Sequence, residues 1–274
     1  MESRLLNALA VIAGRQQDLV AMLEASQQAT RLRRALGDRR NEAIGLGSLG
    51  AVWLELGDFG QARRDLEEAL RLHEALGDRA LVPIVMANLS QLALWQSEGA
   101  DARDKALAAL QIAESVQALD LQALALWCLG NAEFAARHFE EASAAFQRAH
   151  AITEPIGSAL QHDALAGQAR VSLVTGNAVY ALALIEPLLA HLKGEGSLEG
   201  TLGERLIQLT CYQVLMACRD ERAIGVLERM HARLEERAAT ITDPSLRESF
   251  LSNVPENREI IKAWLPVQSA ATAV

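Results

Sequence analysis

Apolar residues recur along this chain at the spacing of one face of an α-helix. Ala62, Leu66, Ala69 and Leu70 show the pattern, since they stand at positions i, i+4, i+7 and i+8 and therefore share one side of a helix. β-branched residues are sparse, and no stretch alternates apolar and polar residues over the length of a strand. The pattern predicts an all-α chain built from amphipathic helices.

The helical pattern itself repeats about every 40 residues. Ala35–Arg39 (Ala-Leu-Gly-Asp-Arg) recurs unchanged at Ala75–Arg79, and Leu49-Gly50 recurs 80 residues later as Leu129-Gly130. A fixed period of this length is typical of a solenoid, in which each unit packs only on its neighbours. Six units are predicted, near residues 1–37, 38–77, 78–118, 119–156, 157–197 and 198–240.

Each unit has the sequence of two helices joined by a tight turn. The first helix carries a small residue in its middle, seen as Gly50, Ser90 and Gly130. At the turn, Gly57 supplies the left-handed end of one helix and Asp58 caps the next. Because small residues let helix backbones approach closely, we expect the two helices of a unit to cross there.

These positions resemble the tetratricopeptide repeat (TPR) family. Its pattern is a Leu-Gly pair, an aromatic residue three positions later, a turn glycine, and then Ala, a large apolar residue and Ala at helical spacing. The second unit matches with Leu49, Gly50, Trp53, Gly57, Ala62, Leu66 and Ala69. The fourth unit has Glu133 at the aromatic position, the first, fifth and sixth units are degenerate, and the period exceeds the family's ~34 residues. The resemblance covers about residues 1–240 and implies a right-handed α-α superhelix (a solenoid) of about six helix pairs.

Two further helices are predicted after the repeats. Asp243 and Pro244 place an N-cap and a first-turn proline, and a last short helix follows from Glu256 to Leu265. We expect residues 241–265 to cap the last unit and residues 266–274 to form a disordered tail. The glycine-rich segment 194–200 predicts a long loop or a hinge between the fifth and sixth units.

The stretch 246–260 also resembles the extreme C-terminus of bacterial signalling ATPases and of LuxR- and SARP-type transcriptional regulators. In those proteins the TPR superhelix is the C-terminal sensor arm. The resemblance implies that the chain is the last segment of a larger regulator or a free-standing relative, and the sequence does not distinguish the two.

The net charge of −9 disfavours direct binding of nucleic acid, because an acidic chain repels a phosphate backbone. The three cysteines, Cys128, Cys211 and Cys218, form no disulfide framework and are expected to be reduced thiols. Because no signal peptide and no apolar run of about 18 residues are present, we expect a cytoplasmic protein without a membrane segment.

The sequence holds no recognisable catalytic motif. It lacks a phosphate-binding loop of the Gly-x-x-x-x-Gly-Lys type, and Gly45–Gly50 lies inside a predicted helix. The six histidines have no metal-ligand spacing. Adjacent carboxylates such as Glu67 and Glu68 point about 100° apart on a helix and do not share a site. The prediction is a non-enzymatic chain with no metal and no cofactor.

The inner wall of the superhelix is the predicted binding surface, because the first helix of each pair lines the concave side of such solenoids. Amides there can hydrogen-bond an extended peptide, and Trp, Tyr and Arg are favoured in binding hot spots. The candidate ligand-binding residues are Ser48, Asn88, Gln91, Trp95, Trp127, Asn131, Arg170 and Tyr212. The alternative for Trp95 and Trp127 is that they only fill gaps between helix pairs.

We therefore expect a protein- or peptide-binding module that acts as a regulatory arm in bacterial signalling or transcription. Two alternatives stay open: a small-molecule effector receptor with its pocket around Trp95 and Trp127, and a homo-oligomerisation scaffold. The sequence names neither the ligand nor the pathway.

Overall fold

The computed structural model describes residues 18–193, 198 and 200–272. Within them every regular element is a helix, and thirteen helices follow one another. They are α1 (Leu19–Ala35), α2 (Arg39–Glu55), α3 (Phe59–Leu76), α4 (Val82–Trp95), α5 (Gly99–Ser115), α6 (Leu119–Ala135), α7 (Phe139–Thr153), α8 (Leu160–Val174), α9 (Ala178–Lys193), α10 (Glu204–Ala217), α11 (Arg222–Thr240), α12 (Pro244–Ser252) and α13 (Pro255–Thr272).

The helices pack as consecutive pairs, which makes the chain a solenoid. The pairs are α2–α3, α4–α5, α6–α7, α8–α9 and α10–α11. Each first helix also contacts the first helix of the next pair, so α2, α4, α6, α8 and α10 form one continuous row. The second helices reach the next pair mainly through its first helix. The first helices therefore form the inner wall, and the predicted all-α TPR-like superhelix is confirmed.

Left-handed corners separate the helices at intervals of 20 residues. Gly37, Gly57 and Gly77 have φ values of 70°, 75° and 66°, and Asp38 and Asp58 cap the helices that follow two of these corners. The same conformation occurs without glycine at Ser97, Gln117 and Arg137. The repeat thus keeps its left-handed corner conformation even at residues that carry a side chain, which rarely adopt positive φ values.

Small residues lie where the helices cross, as the repeat predicts. A Cβ on Gly50 would lie 2.6 Å from a methyl carbon of Leu66. Phe146 on α7 lies between Gly130 on α6 and Gly167 on α8, where a Cβ on either glycine would come 2.6 Å from a ring carbon. Phe146 is fully buried, so its ring links three successive helices.

The C-terminal segment begins as its sequence predicts and ends later. Asp243 caps α12 by accepting hydrogen bonds from the backbone N–H groups of Ser245 and Leu246, at 2.8 and 3.1 Å. The expected disordered tail from residue 266 needs correction, because α13 continues through Pro266 to Thr272. Residues 268–272 (Gln-Ser-Ala-Ala-Thr) include two alanines, and alanine is the strongest helix former.

Several predictions lie outside the described residues. They are residues 1–17 of the first unit, and residues 194–197 and 199 of the glycine-rich segment. Among the described residues, no helix is both long and apolar enough to cross a membrane.

Candidate functional site: the charged interior of the superhelix

A carboxylate from the start of the repeat array meets two arginines from its end. Glu55, the last residue of α2, lies 2.9 Å from Arg205 on α10 and 3.5 Å from Arg237 on α11. Burial opposes ionisation of Glu55, but the two guanidinium groups outweigh it and hold the pKa of Glu55 below its ordinary value. Its side chain keeps 38% of its surface accessible, so solvent reaches the cluster.

The corner at Gly57, which follows α2, also contacts the C-terminal part of the chain. The side-chain amide of Asn253, just after α12, donates a hydrogen bond to the carbonyl oxygen of Gly57 at 2.9 Å. A Cβ on Gly57 would lie 2.9 Å from the carbonyl carbon of Ser249. Residues 150 to 196 positions apart in sequence are therefore in contact. The superhelix closes on itself between its second unit and its C-terminal helices.

A second polar group on the inner wall consists of Asn131, Phe134 and Arg170. Arg170 on α8 donates a hydrogen bond to the side-chain oxygen of Asn131 on α6 at 2.7 Å, and its guanidinium carbon lies 4.3 Å from the centre of the Phe134 ring. Asn131 in turn donates to the carbonyl of Trp127 at 3.0 Å. These contacts fix the orientation of the guanidinium group.

Burial lowers the pKa of Arg170 to about 10, which still leaves it cationic at neutral pH. Glu256 on α13 opposes this shift from a distance. Among the described residues, no carboxylate lies within ion-pair distance of Arg170. A cation held by an amide and an aromatic ring in this way suits a ligand that brings a hydrogen-bond acceptor or an anionic group.

Glu256 brings an acid to the same interior. Burial raises its pKa, while Arg205 opposes that shift. One carboxyl oxygen of Glu256 and the Nε atoms of Arg205 and Arg237 are buried without a hydrogen-bond partner among the described groups. Buried polar groups are usually hydrogen-bonded. These three atoms are therefore free to hydrogen-bond a group that enters the interior.

Of the residues predicted to bind ligand, the structure joins Asn131 and Arg170 directly. Trp127 is 9% exposed and belongs to an apolar cluster around Phe146, and a Cβ on Gly203 would lie 3.3 Å from its ring. This position is that of a gap-filling side chain. Trp95 is half-buried in a different apolar cluster, 5.9 Å from the ring of Phe59.

The other predicted residues occupy separate places on the first helices. Ser48 is exposed and its hydroxyl donates to the carbonyl of Ile44 at 3.1 Å. Asn88 and Gln91 are partly exposed on α4, and Tyr212 packs against the main apolar core from α10. The eight-residue set therefore stays a prediction, with Asn131 and Arg170 as its geometrically connected part.

Asp163 fixes the segment that enters α10. It is almost fully buried on α8, and its two oxygens accept hydrogen bonds from the backbone N–H groups of Leu202 and Gly203, at 3.0 and 2.9 Å. Burial raises the pKa of Asp163 to about 7, although the two N–H groups favour the charged form. Asp163 thereby ties the α8 helix to the start of the last helix pair.

This raised pKa predicts a pH-dependent stability. Between about pH 4, the pKa of an unfolded aspartate, and pH 7, the folded chain binds more protons than the unfolded chain. The contribution of Asp163 to the free energy of unfolding therefore falls as the pH rises through that window, by at most about 1.4 kcal/mol per pH unit.

Asp163→Asn, which cannot titrate, should flatten this part of the pH dependence in urea unfolding between pH 5 and pH 7.5. The control is Asp101→Asn, which changes a solvent-accessible carboxylate on α5 paired with Lys105. An unchanged pH slope in Asp163→Asn would show that Asp163 keeps an ordinary pKa in the folded chain.

No protein-family model and no curated protein matches the chain. Solved structures do match its fold. Aspartyl phosphate phosphatase F from Bacillus subtilis superposes with a TM-score of 0.68 at 13% identity, over 94% of this chain and 68% of the other. The Rap conjugation gene regulator of plasmid pLS20, in complex with the Phr* peptide, gives 0.66 at 11% identity, over 94% and 74%.

A Rap protein complexed with competence and sporulation factor gives a TM-score of 0.61 at 14% identity, over 93% of this chain and 73% of the other. Identities this low establish a shared fold and nothing finer. The chain is a TPR-like all-α superhelix of the architecture found in these Rap proteins.

Proposed function

We propose that the chain is a non-catalytic regulatory module that binds a peptide, or an extended segment of a protein, inside its superhelix. The observation that carries this proposal is Arg170 on the inner wall, which donates a hydrogen bond to the Asn131 side chain and lies over the Phe134 ring. The guanidinium group of Arg170, oriented by the buried Asn131 side chain, offers hydrogen-bond donors to the carbonyl and carboxylate groups of an extended peptide.

The structural neighbours support a peptide as the ligand. Two of the Rap structures that share this fold are complexes, one with the Phr* peptide and one with competence and sporulation factor. We infer that this chain uses the interior of the same architecture for a ligand of that class. Its place would then be that of a sensor arm, within a larger cytoplasmic bacterial regulator or beside one.

One observation makes the peptide proposal preferable to the small-molecule alternative. The small-molecule alternative needs a pocket around Trp95 and Trp127, but these rings belong to different apolar clusters. One structural neighbour carries a phosphatase name. For this chain we propose binding without catalysis, because the Arg170 site on the inner wall is built for recognition of a ligand.

The test is selection of a phage-displayed library of random linear heptapeptides on the immobilised full chain. Peptides enriched by the wild-type chain should bind Arg170→Met at least about tenfold more weakly, equivalent to ~1.4 kcal/mol, because a hydrogen bond to a charged group is lost. Asn131→Ala should weaken binding in the same direction. Affinities are measured by fluorescence polarisation.

Arg148→Met is the matched control, because Arg148 is an exposed arginine on α7 that pairs with Glu114 away from the inner wall. Circular dichroism verifies that each variant is helical. If no peptide is enriched, or if enriched peptides bind Arg170→Met as tightly as the wild type, the interior is not the peptide site.

A further inference from the structure

The C-terminal helices do more than cover the last repeat. A cap on the sixth unit needs contacts only with α10 and α11, and α13 makes both. Yet α12 and the residue that follows it also contact the corner after α2, through Asn253, Ser249 and Gly57. We propose that residues 244–272, which we call the strap, hold the superhelix closed and control access to its charged interior.

The contact on the unit-two side is small and mainly polar. It consists of the Asn253–Gly57 hydrogen bond and the close approach of Ser249 to Gly57. Beside it, outside the strap, the Glu55 carboxylate lies against Arg205 on α10 and Arg237 on α11. On the other side the strap is anchored against α11, since its almost completely buried Phe250 and Ile260 lie together with Met230 and Leu234. The weaker side is therefore the one that releases.

The position of Glu256 connects the strap to the interior. It stands in the first turn of α13 and interacts electrostatically with Arg205 and with Arg170. When the strap is closed, its own carboxyl group lies near the cation that we assign to ligand binding. This control of ligand access rests on the proposed function, whereas the closure itself does not.

Closure is tested without any ligand. In the full chain, Asn253→Ala removes the hydrogen bond between the strap and unit two, and Glu55→Gln removes the neighbouring charge that joins unit two to α10 and α11. We expect amide hydrogen exchange in α12 to become roughly tenfold faster and the radius of gyration from small-angle X-ray scattering to rise. Helicity from circular dichroism should not change.

The matched control is Glu114→Gln, which breaks the exposed Glu114–Arg148 ion pair between neighbouring units and should leave both readouts at their wild-type values. If the double variant exchanges and scatters like the wild type, the strap inference is overturned. If the double variant does not fold, Asn253→Ala alone decides by the same hydrogen-exchange measurement, with an unchanged α12 counting against the strap.

The outcome is separable from that of the peptide experiment. Failure to enrich any peptide would remove the proposed ligand but would leave the exchange and scattering changes intact. Wild-type exchange in the double variant would remove the strap and leave peptide binding untouched.

Discussion

Replacing Phe146 with alanine is expected to lower the free energy of unfolding by about 3–5 kcal/mol. The ring is fully buried and fills the space left by Gly130 on α6 and Gly167 on α8. Those two glycines have no side chains with which to fill the resulting cavity. The packing of three successive helices depends on this one ring, so the cost should lie at the upper end of the range for aromatic truncation.

Urea unfolding followed by circular dichroism measures the change. Tyr180→Ala is the control, because Tyr180 is an aromatic residue that is 51% exposed on α9 and should change the stability by no more than about 0.5 kcal/mol. An equal loss in both variants would show that Phe146 does not hold the helices together.

A double-mutant cycle sharpens the same test. Gly130→Ala should destabilise the wild-type chain, because its Cβ would come 2.6 Å from the Phe146 ring. In the Phe146→Ala background the obstacle is gone, and the added methyl group should be neutral or stabilising. The interaction between the two changes therefore has a predicted sign.

The repeat made most of the fold predictable from sequence. Helix geometry sets the spacing of the apolar residues and the positions of Gly50 and Gly130. That geometry is local, so it recurs wherever the sequence repeats. The corners at Ser97, Gln117 and Arg137 carry no glycine, so no local signal marks their left-handed conformation. The packing of the helices on either side imposes it there.

The interior was predictable only in part, because two different kinds of contact build it. Asn131 and Arg170 stand on neighbouring first helices and are 39 residues apart, about one repeat period, so the repeat alone brings them together. Glu55 and Arg205 are 150 residues apart. Their contact depends on the total curvature of the superhelix over several helix pairs. The repeat pattern in the sequence does not specify that curvature.

Trp127 shows a third limit of sequence reasoning. Its column on the first helix is the one expected to face the ligand, but the start of α10 lies against its ring through Gly203. Asp163 holds that segment in place through two hydrogen bonds. A loop whose path is fixed by a distant carboxylate can thus bury a residue that helix periodicity places on the open face.

Gly57→Ala should cost far more stability than the same change at the equivalent corners. Gly37, Gly57 and Gly77 have nearly equal positive φ values, so the strain of an L residue, about 1–2 kcal/mol, is common to all three. Of the three, Gly57 has neighbouring backbone in the way, whereas no atom of the described neighbouring residues lies within 4 Å of a Cβ at Gly37 or Gly77. We expect a total loss of about 2–4 kcal/mol at Gly57, measured by urea unfolding.

The excess cost at Gly57 also reports on closure. A methyl group there collides with Ser249, and the chain can relieve the collision by releasing the strap. The excess over Gly37→Ala and Gly77→Ala therefore cannot exceed the free energy of closure, so it sets a lower limit on that quantity. Of the three glycine variants, only Gly57→Ala should accelerate amide hydrogen exchange in α12, because only that substitution loosens the strap. If all three variants lose the same free energy of unfolding and α12 exchange is unchanged, the backbone at Gly57 accommodates the methyl group without releasing the strap.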